Sequence, residues 1–178
     1  FNHFERFKIL CVTNVFPTGT IAVNRIFHDI ALQREGFDRP VSFAPGEPVM
    51  MEQNDYVRNI FNGDQGIVLR VSPQKSVLRL MAVFRRGKEY VAYPVDSLRG
   101  SLSLAYAVTV HRSQGSEYKS IALVLPDQEM RILTQEIFYT AITRAKTGVF
   151  IIGRQDIFAL GVRAQVRRAC GIAQRILR

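Results

Sequence analysis

Apolar residues gather in short, nearly continuous runs at Phe7–Val12, Leu104–Val110, Ser120–Leu125 and Val149–Ile152. Runs of that length without polar alternation predict strands buried on both faces, as in a parallel sheet. After the first run, Pro17-Thr18-Gly19 marks a turn. Val23, Ile26, Phe27, Ile30 and Ala31 then recur every three or four positions. That spacing predicts an amphipathic helix, with Thr20 as its N-cap and Gly36 as its stop. A second helical period starts near Thr134 and runs through Ile137, Phe138, Ala141, Ile142 and Ala145. Glu136 suits its first turn, Lys146 its last, and Gly148 is the predicted stop. A third period begins at Ile157 and continues through Phe158, Val162, Val166, Cys170 and Ala173. Arg163, Arg167, Arg168, Arg175 and Arg178 lie among these positions without any acid. This predicts a basic amphipathic C-terminal helix, either a docking element or core packing with a solvated face.

The pattern changes between Pro40 and Gly100. Pro48–Glu52, Gly66–Val71, Val77–Phe84 and Glu89–Val95 are short runs broken by turns at Asn62-Gly63-Asp64 and Arg86-Gly87. No helical period fits them, and a small antiparallel barrel over 41–99 is predicted. The element order is then βα, an all-β block, and ββαβα. It reads as an α/β domain of residues 1–40 and 100–178 interrupted by that barrel.

A chain of 178 residues with 47% hydrophobic and 22% charged positions is an ordinary globular composition. Lys and Arg exceed Asp and Glu by 24 to 15, a net charge of +9. That surplus favours a polyanionic partner, nucleic acid first. Cys11 and Cys170 are far apart, and His3, His28 and His111 have no metal-ligand spacing, so zinc and disulfide frameworks are unsupported. A reducing cytoplasm is the expected location. No apolar run approaches the roughly 20 residues of a membrane span. The chain opens on Phe1 inside an amphipathic stretch, as a piece cut from something longer is expected to.

Two segments carry candidate chemistry. Thr109 to Glu117 (TVHRSQGSE) follows one predicted strand and precedes another. In open α/β sheets, ligands collect at the carboxyl ends of strands. Gly115 lets backbone approach a ligand closely. A lone His-x-Ser is an ordinary polar turn; the density of polar groups sets this run apart. The second segment is Phe138 to Lys146 (FYTAITRAK), where Thr140 and Arg144 are four apart and share a helix face. A guanidinium on a rigid helix can grip a phosphate through two bonds, although an isolated arginine there is more often a surface residue.

Together these runs resemble the C-terminal half of superfamily 1 helicases, and within them the RecD type, the alpha subunit of exodeoxyribonuclease V. That family's motif V, A-x-T-x-H-K-S-Q-G-S-E-[FY], stands here as Ala107 to Tyr118; its motif VI, Y-T-A-[IV]-T-R-A-[KR], stands as Tyr139 to Lys146. Phe4 to Cys11 (FERFKILC) and Ala22 to Asn24 resemble the opening of the motor domain, and Gly46–Met50 and Phe61–Gly66 resemble its SH3-like insertion. The resemblance implies a RecA-like (P-loop NTPase-type) second helicase domain with a small inserted SH3-like barrel. It implies that Arg144 reaches the γ-phosphate of ATP and that Gly115 and Glu117 lie on the nucleotide side, with Gln114 between the two ligands. Thr109, His111, Arg112 and Ser113 match the stretch facing single-stranded DNA, and Asn24 falls in the region of motif IV. Arg112 stands where the family usually has lysine.

The G-x-x-x-x-G-K-[ST] phosphate cradle does not occur in these residues. ATP and Mg2+ are therefore expected to be bound mainly by an N-terminal motor domain of the same protein. These 178 residues alone are expected to be inactive. The further partners implied are single-stranded DNA and RecB- and RecC-like subunits, in double-strand break repair and recombination, with 5′-to-3′ translocation and no membrane. The alternatives are a nucleic-acid or protein docking module, and a stand-alone or relaxase-type RecD-like helicase.

Overall fold

The computed structural model describes residues 1–37, 41–72 and 78–165. A short helix α1 (Asn2–Arg6) leads into strand β1 (Phe7–Cys11), helix α2 (Thr20–Glu35) and a block of strands: β2 (Pro48–Met51), β3 (Gln65–Val71), β4 (Arg79–Arg86), β5 (Glu89–Pro94) and β6 (Leu102–Leu104). Strand β7 (Ala107–Thr109), strand β8 (Tyr118–Val124), helix α3 (Gln135–Ile142), strand β9 (Ala145–Ile152) and helix α4 (Gln155–Arg163) follow. Two sheets result. One is parallel, in the order β7-β1-β8-β9; the other is antiparallel, in the order β5-β4-β3-β2-β6.

The apolar runs of β1 and β8 fill the middle of the parallel sheet, whereas β9 lies at its edge with Val149, Phe150, Ile151 and Ile152 exposed, which corrects the expectation that this strand is buried on both faces. Leu10, Val108, Ile121 and Leu123 are fully or almost fully buried and cluster with Ile137, Phe138 and Ala141 of α3. Burial of each such side chain contributes on the order of 1.5–3 kcal/mol. Helix α4 locks onto α3 through an edge-on Phe138–Phe158 pair, centroids 5.3 Å apart. The antiparallel unit has its own core, including Val49, Met51, Ile60, Val68, Ala82 and Phe84.

Several sequence expectations are corrected. Helix α3 stops at Ile142, so Ala145, Lys146 and Gly148 belong to β9 rather than to a helix end. Pairing with β8 captures them: Tyr118 N–H donates to Arg144 O at 2.8 Å, and Tyr118 is in register with Ala145. Gly148 is a close-approach glycine, because a Cβ there would lie 2.9 Å from Ser120 Oγ. The run Leu104–Val110 is two strands: β6 pairs with β2 in the antiparallel sheet, and β7 pairs with β1 in the parallel sheet. Gly19 caps α2, while Thr20 is its first helical residue and donates its hydroxyl to Asn14 Oδ1 at 2.9 Å. The predicted stripe of α2 is left partly open, with Ile26 and Ile30 exposed and Phe27 stacked on Tyr106 at 5.1 Å. The predicted C-terminal helix is shorter than expected: α4 ends at Arg163, where Ala164 turns extended, and Val166, Cys170 and Ala173 of the predicted period lie outside the described residues, as does Val77 at the start of the third β run.

Buried polar groups tie the two sheets together. Lys8 of β1 is 1% exposed, and its Nζ donates to Gln65 Oε1 of β3 at 3.0 Å and to Ala105 O at 2.9 Å. It also lies 5.7 Å from the centroid of the Tyr118 ring. Burial pushes this amine down to about 8. On the other flank, His28 of α2 meets the buried carboxylate of Glu47 at 2.9 Å, which also accepts from Ala44 N–H at 2.7 Å.

Candidate functional site

The segment from Val110 to Glu117 runs from one end of the parallel sheet to the other. Thr109, the last residue of β7, is level with Cys11 of β1, and Cys11 is level with Val124, the last residue of β8. The segment ends at Tyr118, the first residue of β8, six positions earlier on that strand. At about 3.3 Å per residue the two ends are about 20 Å apart. Only the Thr109 end therefore sits at a strand carboxyl terminus; the Glu117 end sits at an amino terminus. This corrects the expectation of one site at one strand end.

Local bonding explains the path. Val110 N–H donates to Cys11 O at 3.0 Å, continuing the β7 register for one more residue. His111–Ser113 form a single 3-10 turn, closed by Gln114 N–H to His111 O at 3.1 Å. Ser113 is fully buried and its hydroxyl donates to Val110 O at 2.6 Å. Gly115 then adopts φ +84°, in the left-handed region that glycine enters without strain, and apart from its chain neighbours nothing lies within 4 Å of where a Cβ would stand. Its backbone is thus open to solvent.

At the far end the turn after α3 meets the segment. Arg144 Nη1 donates to Ser116 O, Nε to Thr140 O and Nη2 to Thr143 Oγ1, each at 3.2 Å. All three partners are uncharged oxygens, which orient the guanidinium without neutralising it. Glu117 pairs with Lys146 at 2.9 Å. The hydrogen bond from Lys146 holds the Glu117 carboxyl below its usual range, with a smaller contribution from the charge of Arg144. Glu117 and Lys146 line a depression of about 360 Å³ with Lys119, Glu5 and Arg6. Arg144 is in a turn rather than on the helix, so its rigidity comes from these bonds.

At the near end Thr109 and Arg112 line a cleft of about 450 Å³ between α2 and the antiparallel unit, with Arg25, His28 and Glu52. Thr109 Oγ1 accepts from Arg112 N–H at 3.3 Å. The Arg112 guanidinium grips both carboxylate oxygens of Glu52. That bond lowers the Glu52 carboxyl and raises the guanidinium. His111 and Gln114 face a different cleft, of about 320 Å³, with Arg131, Glu136 and Thr140.

Two residues expected on DNA are turned to other work. The Ser113 hydroxyl is engaged inside the turn, as described. Asn24 lies at the cleft wall, but its amide clamps the crossing between the sheets: Nδ2 donates to Leu104 O at 3.1 Å and Ala107 O at 2.9 Å, and Oδ1 accepts from Ala107 N–H at 2.9 Å. Sequence reasoning in turn missed Glu52, Ser103 and Lys8. Nothing local marks Glu52, which ends an ordinary strand run 60 positions from its partner. Lys8 carried a signal in retrospect, a lone cation inside an otherwise apolar strand.

Among the described residues, no group of three or more His, Cys, Asp or Glu side chains is placed to hold a metal ion, and no helix is long and apolar enough to cross a membrane.

Comparison with known proteins adds a family. The UvrD-like helicase C-terminal domain matches residues 104–152, which include both candidate segments. The chain is 30% identical to the RecBCD enzyme subunit RecD of Mycolicibacterium smegmatis over 173 residues, 97% of this chain and 29% of that protein. It is 35% identical to the ATP-dependent RecD2 DNA helicase of Deinococcus radiodurans over 125 residues, 68% of this chain and 16% of the relative. The chain thus spans less than a third of the length of these curated relatives. Among solved structures, the Pif1 helicase from Candida albicans superposes with a TM-score of 0.56 at 14% identity, covering 99% of this chain and 53% of that one. A structure of two coordinating Pif1 helicases at forked double-stranded DNA gives 0.54 at 17% identity, over 88% of this chain and 42% of that one. Likeness at this identity shows the fold alone, a RecA-like helicase domain.

Proposed function

This chain belongs to the RecD-type superfamily 1 helicases, in their C-terminal part, and from that premise we propose that it is the second motor domain of an ATP-dependent 5′-to-3′ DNA helicase. In this reading the whole protein is a RecD-like subunit of exodeoxyribonuclease V, working with RecB- and RecC-like subunits in double-strand break repair. Residues 1–40 and 100–178 form the RecA-like domain, and 41–99 the SH3-like insertion, with β6 joining its sheet from just beyond that boundary. The phosphate cradle and Mg2+ belong to an N-terminal motor domain, so these 178 residues alone neither hydrolyse ATP nor unwind DNA.

The observation that carries this reading is the traverse of about 20 Å from Thr109 to Glu117. One short segment has an end beside Arg144 and an end in the cleft of Thr109 and Arg112. Arg144 is oriented by neutral oxygens and keeps its charge for the γ-phosphate, where it stabilises charge spreading over the transferring group. Glu117 accepts from the nucleotide's hydroxyls, and the open backbone at Gly115 lets the ligand approach. Thr109, His111 and Arg112 contact single-stranded DNA, with Gln114 between the two ligands. A shift of the Arg144 turn on ATP binding is passed through Ser116 O to the DNA end.

The DNA side is tested with the intact protein and a labelled oligothymidylate. Thr109→Ala/His111→Ala is expected to weaken binding about tenfold while ATP affinity stays within twofold. Unchanged DNA affinity would remove these residues from the interface. Absence of any affinity at low salt in the parent protein would favour a protein-docking role for the domain.

A further inference from the structure

Arg112 brings a positive charge to the cleft at the Thr109 end, but the charge arrives already partnered. Its two terminal nitrogens donate to the two oxygens of Glu52, which follows directly after β2. Glu52 is itself fixed in place. Its backbone N–H donates to Ser101 O at 2.8 Å, and the Ser103 hydroxyl donates to its Oε1. The Arg112 backbone is held too, by Thr109 Oγ1. Two planar forks therefore meet end to end, one on the 3-10 turn after β7 and one just past the end of β2. This is the geometry in which a guanidinium also takes a phosphate, through two parallel bonds to two oxygens. The side chains are 40% and 27% exposed, so a ligand entering the cleft can reach the pair. A lysine, usual at this position in the resembled motif, has no fork and cannot form this bond.

We propose that Glu52 is a built-in competitor for Arg112: its carboxylate occupies the guanidinium when nucleic acid is absent, and a backbone phosphate must displace it to bind. The proposal rests on the reading of Arg112 as facing DNA. A phosphodiester and a carboxylate each carry one negative charge over two oxygens, so the exchange is nearly balanced. Glu52 thus costs affinity in every sequence context and keeps Arg112 from gripping weaker anions. Displacement also unties the end of β2 from the 3-10 turn, so the antiparallel unit becomes freer of that turn when DNA is bound. Salt dependence follows from the same exchange. A cation leaves the phosphate as Arg112 binds it, but the freed carboxylate recaptures one.

The test uses the intact protein, a labelled oligothymidylate, and titrations at several salt concentrations. Glu52→Gln keeps the shape and the Ser103 bond but removes the charge. It is expected to raise affinity about two- to fivefold, the size of one partly exposed ion pair. It should also steepen the log–log salt slope by up to about 0.7, because the cation released from the phosphate is no longer offset by one taken up at Glu52. In an Arg112→Ala background the same substitution should give neither effect. An equal gain in that background would mean that Glu52 acts only through its general field, and the proposal fails. It also fails if Glu52→Gln changes nothing while Arg112→Ala alone weakens binding. If Arg112→Ala leaves DNA binding unchanged, the DNA-facing reading of Arg112 falls, and the proposal with it.

Discussion

Replacing Lys8 with methionine removes a titrating amine from between the two sheets while keeping an unbranched side chain. Lys8 is 1% exposed, and its hydrogen-bond acceptors, Gln65 Oε1 and Ala105 O, are both neutral. Burial lowers its pKa from 10.5 to about 8, so folding favours the uncharged form. The neutral amine still has two hydrogens, one for each acceptor. Below pH 8 the folded protein holds a buried cation, at a cost. Between about 8 and 10.5 the unfolded chain binds more protons than the folded one, so stability rises with pH in that window. With a pKa difference of that size, the wild type should gain roughly 2–3 kcal/mol on Lys8→Met between pH 7 and pH 10. All other titrating groups are common to both proteins and cancel in the difference. Urea unfolding of the two proteins across that range measures it. A difference constant to within about 0.5 kcal/mol would refute the assignment of a charge-disfavouring site to Lys8.

Two further predictions concern the scaffold. Asn24→Ala strips the clamp from three backbone partners and should cost about 2–4 kcal/mol in denaturant unfolding. Oligonucleotide affinity of its folded fraction should remain within twofold; a selective loss of DNA binding would restore Asn24 as a direct contact. Gly161→Ala places a Cβ 2.7 Å from Leu133 Cγ and Phe138 Cε2 at the α3–α4 contact, and should lower stability by about 1–3 kcal/mol in the same assay despite alanine's better helix propensity.

The sequence made some features legible and hid others for physical reasons. The buried strands β1 and β8 and the start of α3 could be read because their signal is local: unbroken apolar runs and a helical period. The two candidate segments could be singled out because one is a dense polar run, Thr109–Glu117, and the other sets Thr140 and Arg144 four positions apart. The end of α3 could not, since Ala145 and Lys146 suit a helix as well as a strand, and pairing with Tyr118 decides between them. The break at Ala105–Tyr106 was hidden inside a continuous apolar run, because membership of one sheet or the other is a long-range choice. Side-chain duties were the least legible. Asn24 and Ser113 have the right chemistry for a ligand, but their hydrogen bonds are satisfied within the fold. Arg112 meets Glu52 only through the packing of the two units.

The proposed function requires one segment to link a nucleotide end at Arg144 to a DNA end at Thr109. The most direct measurement is Arg144→Ala in the intact protein, with DNA-stimulated ATP turnover and oligonucleotide affinity determined on the same preparation. Turnover should fall at least about 1,000-fold, the scale of a lost arginine on a transferring phosphoryl group, while DNA affinity stays within twofold. Turnover within tenfold of the parent would contradict the account, and so would a parallel loss of DNA binding.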